Sequence, residues 1–187
     1  AHASGRDLHA LIATLNAAGG INPIAQNLSA KDRTQLLTDA KKTGNAERGR
    51  EIYHRKTLLC ATCHLIDNRG GKLGPDLTTV GSYMTPESLL ESLLNPSSSI
   101  KQGYETVLVT TKDKALLAGL LQRKTGDSLL LRDTTGKVTA IPNRNVAQID
   151  VSPVSLMPPG LTASLRRDEM IDLLKFLTSL GVKVNVL

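Results

Sequence analysis

Two thiols three positions apart, with an imidazole directly after the second, mark Cys60-Ala61-Thr62-Cys63-His64 as the stretch best equipped for chemistry. This spacing forms two thioether bonds to the vinyl groups of haem and sets a histidine nitrogen on the iron. With the porphyrin edge fixed over the turn, His64 has little orientational freedom left to lose. Cys60 and Cys63 are the only cysteines in 187 residues. Three other uses compete. A redox dithiol wants C-x-x-C at the start of a helix after a βαβ strand, but the residues before Cys60 read as helix. A structural zinc site wants four ligands; Cys60, Cys63 and His64 supply three, and His2, His9 and His54 show no paired ligand spacing. A disulfide across two intervening residues would be strained and would close almost no loop. Covalent haem is favoured over all three.

A ligand for the opposite face of the iron must come from elsewhere in the chain, and three thioethers are available. Met170 shares helical spacing with Leu173 and Leu174 and reads as packing. Met84 directly precedes the N-cap Thr85, where a hydrophobic staple to Leu89 would occupy it. Met157 sits in the proline-stiffened run Ser155-Leu156-Met157-Pro158-Pro159-Gly160, and it is the preferred axial ligand. Gly74-Pro75 follows the motif and can turn the chain back beneath the haem, aiming the Pro75 carbonyl at the outer nitrogen of His64. A His64/Met157 pair raises the reduction potential relative to two histidines. It also closes the iron to substrate, so the expected chemistry is outer-sphere one-electron transfer and not enzymatic turnover. An open sixth position would instead suit a haem-based peroxidase or gas sensor. In a third reading the β-rich region is a docking module and haem is incidental.

The elements that must position these residues can be followed along the chain. Leu8, Leu11, Ile12 and Leu15 give residues 6–18 a helical apolar face that Gly19-Gly20 stops. Ser29-Ala30-Lys31-Asp32 opens a second helix, which Gly44 closes. Asn45 caps a third, expected to run through Gly49, Ile52 and Tyr53 toward Cys60. Asn68-Arg69-Gly70-Gly71 reads as a loop. Thr85-Pro86 starts a helix carrying Leu89, Leu90, Leu93 and Leu94, and Asn95-Pro96 ends it. From Tyr104 the texture changes to short apolar or β-branched runs: 104–111, 115–123, 128–132, 137–141 and 146–151. Turn-forming residues separate them, which predicts four or five antiparallel strands, with Gly119 marking a bulge. The chain finishes in a helix over about residues 167–180, stopped by Gly181.

Composition adds bounds. The net charge is +6 and the sequence pI about 9.5, with basic residues scattered and not interleaved with aromatics. Nucleic-acid binding is not expected; a solvated surface is the default reading of this charge, and steering toward an acidic partner the sharper one. Aromatic residues make up only 2% of the chain, namely Tyr53, Tyr83, Tyr104 and Phe176. A haem would supply the flat apolar body that such a core lacks. No apolar run is long enough to span a bilayer. The chain begins with Ala1 and not Met, so any export signal is expected to be already gone.

Gly49, Tyr53, Cys60-x-x-Cys63-His64, Gly74-Pro75 and Met157-Pro158, with a last helix bearing Phe176, together resemble a class I cytochrome c. That resemblance implies that the first and last helices of the haem domain cross near Gly49, Tyr53 and Phe176, and that His64 and Met157 ligate iron. Over residues 45–180 the chain is most similar to the haem-binding domain family of planctomycetes and verrucomicrobia. There a β-rich segment starting near Pro96-Ser97…Tyr104 is inserted before Ser155-x-Met157-Pro158. The fold implied is mainly α: a cytochrome c-like helical haem domain with an inserted small antiparallel β module. It divides into an N-terminal helical extension (1–43), an N-terminal haem part with the CxxCH motif (44–101), the β module (102–152) and a C-terminal part with the axial Met loop (153–187). The resemblance further implies one covalent haem c, a periplasmic or otherwise extracytoplasmic location, and a redox partner or fused dehydrogenase domain from which the chain is an excised module. Tyr83 is a candidate contact to a haem propionate.

Overall fold

A computed structural model describes residues 28–182. The helix expected over residues 6–18, with His2 and His9, lies outside them. Helix α1 (Ala30–Thr43) opens where Ser29 Oγ accepts the Asp32 amide at 3.2 Å and donates to Asp32 Oδ2 at 2.6 Å. It turns Leu36 and Ala40 into the helical core. Asn45 caps α2 (Ala46–Tyr53) by accepting from the Arg48 amide at 3.0 Å.

The run toward Cys60 departs from the sequence expectation. Helix α2 ends at Tyr53, and a 3-10 turn (Lys56–Leu58) follows. Leu59 then adopts a left-handed conformation with φ 58° before the single turn α3 (Cys60–Cys63). A leucine in that region is strained relative to glycine; here it swings the thiols out of line with α2.

Beyond His64 the structure again differs from a plain loop. Strands β1 (Leu65–Ile66) and β2 (Arg69–Gly70) pair around Asp67 and Asn68, both at positive φ. Asp and Asn tolerate such backbone angles better than other non-glycine residues, which permits the two-residue turn. Next come α4 (Val80–Tyr83) and α5 (Pro86–Leu94), the latter capped by Thr85 with Pro86 in its first turn. Helix α6 (Arg167–Ser179) closes the helical half, and Gly181 follows at φ 77°.

Strands β3 (Thr106–Thr111), β4 (Leu116–Lys124), β5 (Ser128–Arg132), β6 (Val138–Pro142) and β7 (Val146–Ser152) form one antiparallel sheet in the order β6-β5-β4-β3-β7. Its register pairs Val107 with Gly119 and Leu129 with Ile141. The sheet has its own core of Val107, Val109, Leu129, Leu131 and Ile141, distinct from the helical one. Gly119 is not at a bulge; the register shifts fall at Thr110/Thr111 and Leu121/Arg123. A Cβ on Gly119 would strike the Arg132 carbonyl, so close approach of β5 explains the glycine.

The mainly α expectation is overturned. Helices hold 37% and strands 24% of the described residues, a mixed α/β architecture with a five-stranded antiparallel sheet. Around the thiols the chain forms only single turns where a continuous helix is expected, whereas each strand of the sheet reaches five to nine residues.

Candidate functional site

The site begins with a crossing of helices. A Cβ on Gly49 would collide with the Asp172 carbonyl and lie 2.7 Å from Phe176 Cβ, so only glycine lets α2 and α6 approach this closely. Asp172, buried on α6, accepts from the Asn45 amide at 2.7 Å and from Arg48 Nε and Nη2 at 2.6 and 3.1 Å. One carboxylate thereby ties the start of α2 to the middle of α6. Tyr53 is fully buried with its ring 5.7 Å from that of Phe176. Its hydroxyl donates to the His64 carbonyl at 3.1 Å, and burial raises its pKa. The crossing is thus connected to the motif by one side chain.

The segment after the motif folds back and is stitched onto it. Gly71 N donates to Ala61 O at 3.0 Å, Leu73 N and Gly74 N donate to Cys63 O at 3.1 and 2.8 Å, and Leu77 N donates to Leu65 O at 2.8 Å. A Cβ on Gly74 would sit 2.5–2.9 Å from three atoms of the His64 ring, so the imidazole lies flat against this backbone. The same fold-back sets the Pro75 carbonyl 2.8 Å from His64 Nδ1. A carbonyl oxygen only accepts, so Nδ1 carries the proton and Nε2 the lone pair. Burial lowers the His64 pKa, the Pro75 bond offsetting part of that, and the ring is a neutral donor at pH 7.

Cys60 and Cys63 are free thiols on one turn, both half-buried. The Cys60 thiol donates to the Leu58 carbonyl at 3.6 Å, and burial pushes its pKa up to about 11. Burial raises the Cys63 pKa as well. A redox dithiol needs the opposite, an attacking thiol whose pKa is depressed. A zinc site fares no better: among the described residues no three His, Cys, Asp or Glu side chains gather as a metal-binding group. Two adjacent thiols and an imidazole with its outer nitrogen engaged do fit a covalently attached haem: Cys60 and Cys63 would hold the ring edge and His64 the iron.

The remaining candidates lie on other elements. Met157 is half-buried against the helical core; its amide donates to Ser155 Oγ at 3.1 Å. Met84 packs against the same core from the residue before the Thr85 cap, and Met170 is fully buried in α6. Tyr83 is about half exposed, with Lys101 Nζ 5.4 Å from its ring centroid. The two line an open polar cleft of about 480 Å³ with Asp67, Asn68, Asp76, Thr78 and Thr79. Hydrogen bonds from Thr78, first from its hydroxyl, lower the Asp76 pKa. His54 is exposed, packing edge-on to Tyr53 at 5.1 Å.

Three contributions were not legible in the sequence. Gly74 seats the imidazole, the Tyr53 hydroxyl holds the motif backbone, and Asp172 joins the helices. Only Asp172 leaves a trace there, as a carboxylate amid the apolar run from Met170 to Leu177. Neither protein-family models nor curated proteins yield a match to this chain.

Proposed function

We propose that this chain is a monohaem c-type cytochrome that carries single electrons. The reading rests above all on the His64 imidazole: its Nδ1–H donates to the Pro75 carbonyl at 2.8 Å, which leaves Nε2 as a lone-pair donor on the residue that directly follows a turn carrying two free thiols. A haem held here supplies a one-electron ferric–ferrous couple.

Cys60 and Cys63 anchor the ring by thioether bonds. Pro75 fixes the tautomer of His64 and makes it a stronger donor, while Gly74 and Tyr53 prevent the ring and its backbone from turning away. Met157, half-buried against the helical core, would hold the iron through its thioether, and a haem so held would exchange electrons without binding substrate. Tyr83, beside Lys101, is offered as a propionate contact. The net charge of +6 favours encounter with an acidic redox partner, either a separate protein or a fused dehydrogenase domain. Covalent attachment of this kind places the protein outside the cytoplasm. No helix among the described residues is long and apolar enough to cross a membrane.

Expression alongside haem-attachment machinery tests the proposal. Denaturing mass spectrometry is expected to show one haem retained on the polypeptide, and the ferric protein to be low-spin with a weak long-wavelength sulfur-to-iron band. A colourless product at the bare polypeptide mass refutes it. A high-spin haem that readily takes cyanide or carbon monoxide moves the function to an open-site peroxidase or gas sensor.

A further inference from the structure

The loop carrying Met157 has little regular structure of its own, and its backbone is held by a set of hydroxyls. Ser97 Oγ accepts the Ser155 amide at 3.1 Å, and Ser155 Oγ in turn accepts the Met157 amide at 3.1 Å. One residue earlier, the buried Thr106 donates its hydroxyl to the Val154 carbonyl at 2.7 Å. Beyond Met157 stand Pro158 and Pro159, which have no amide proton and a fixed φ. Three side-chain hydroxyls therefore fix the backbone at 154, 155 and 157, and two prolines stiffen the chain immediately C-terminal to the thioether.

The chain places these contacts where they do more than close a loop. Ser97 lies just past the end of α5, where the chain leaves the helical half; Ser155 lies where it returns after β7. The Ser97–Ser155 bond closes the neck of the inserted sheet, and the Ser155–Met157 bond passes that closure to the thioether two residues on. A hydroxyl that accepts an amide two residues ahead forms a local turn and restricts the backbone between them.

We infer that Ser97 and Ser155 form a two-step latch that positions Met157, making them positioning residues for the axial thioether. This rests on the cytochrome reading above. Breaking the latch frees Met157 to leave the iron more often, and an external ligand then enters more readily.

The holoprotein tests this through imidazole or cyanide binding to the ferric form, the sulfur-to-iron band, and the midpoint of the alkaline loss of that band. Ser155→Ala is expected to tighten imidazole binding about five- to tenfold, the size of one hydrogen bond. It should also weaken the sulfur band and lower the alkaline midpoint. Ser97→Ala is expected to act in the same direction and less, because Ser155 still accepts the Met157 amide. Ser155→Thr, which keeps the hydroxyl, is expected to restore binding to within about twofold of the parent. Ser98→Ala removes a neighbouring hydroxyl that donates to Asn95 O at 2.7 Å and should leave ligand binding unchanged. Lowered melting temperature in Ser155→Ala with unchanged ligand binding and sulfur band overturns the latch and leaves only a structural role. A response to Ser155→Ala with none to Ser97→Ala overturns it too, since the neck is then not coupled to the ligand. Haem absent by denaturing mass refutes the cytochrome reading and the latch together; haem bound with these signatures unmoved refutes the latch alone.

Discussion

The helical half and the sheet are built on opposite plans. In the sheet, backbone ladders and alternating side chains agree: Val107, Val109, Leu129, Leu131 and Ile141 form a small core, and the strand pairing alone accounts for the architecture. In the helical half the core is larger, but it serves a turn with almost no regular structure. Side-chain contacts hold that turn in place: Tyr53 to His64, His64 to Pro75, Asp172 to the start of α2. The sheet tolerates sequence change on the face turned away from that core, where Leu116 is exposed. A turn that combines a few irregular backbone bonds with single side-chain contacts does so less readily. Positions that look unremarkable, such as two glycines against carbonyl groups, therefore differ in what their loss would do.

Substitution of those glycines separates the halves. Gly49→Ala drives a methyl into the Asp172 carbonyl at the α2–α6 crossing, and neither backbone can yield without parting the helices. The expected cost is about 3 kcal/mol. Amide exchange should accelerate through α2, α6 and the motif while the sheet keeps its protection. Gly119→Ala meets the Arg132 carbonyl in the same way, but an antiparallel pair adjoining a register shift at Leu121/Arg123 can slide. Its cost is expected nearer about 1.5 kcal/mol, with exchange rising in β4 and β5 alone. If both variants open the same set of amides, the two halves are one cooperative unit and the contrast fails.

The same contrast explains what was legible in the sequence. The four or five strands expected were readable because short apolar or β-branched runs and turn residues such as Thr125-Gly126-Asp127 act locally. The helix caps at Ser29, Asn45 and Thr85 were readable for the same reason. The breaks around the motif are not, because Leu59 at φ 58° has no preference for that conformation and strands β1 and β2, at two residues each, are too short to carry a pattern. The mainly α expectation fails because the stretch around the CxxCH motif is broken into single turns while the sheet supplies five strands of five to nine residues. Cys60, Cys63, His64 and Pro75 stand out in the sequence because their spacing forms the motif. The hydrogen bond between Ser97 and Ser155 is not legible there, because the two are 58 positions apart and meet only in three dimensions.

Acid should reveal the next contrast. Glu169 on α6 is largely buried, which by itself raises its pKa. Hydrogen bonds from Arg55 at 2.8 Å and the Arg166 amide at 2.9 Å outweigh that and hold it below the usual glutamate value. A carboxyl whose folded pKa is depressed contributes fully above its unfolded pKa of about 4.3 and loses that contribution as pH falls through the folded value. Glu169→Gln is expected to cost about 1.5 kcal/mol at neutral pH and almost nothing in acid. Melting temperatures of the two proteins should therefore converge below about pH 4. A constant gap down to pH 3 would show that Glu169 acts through packing and not through its charge.

The smallest expected effect runs the other way. Thr162, between Gly160 and the buried Leu165, is 2% exposed, and its hydroxyl has no hydrogen-bond partner among the described residues. Burying a hydroxyl without a partner costs free energy that the unfolded chain, hydrated there, does not lose. Thr162→Val keeps the shape and removes the oxygen, so it should stabilise by about 1 kcal/mol, a rise in melting temperature of about 2–4 °C for a chain of this size. Few changes in the helical half are expected to raise stability, since nearly every polar group around the motif is engaged. Thr162 tests that claim from its exception. A lower melting temperature on substitution would mean that the hydroxyl holds a partner, a buried water or the attached group, and the helical half would then have no slack polar group at this point.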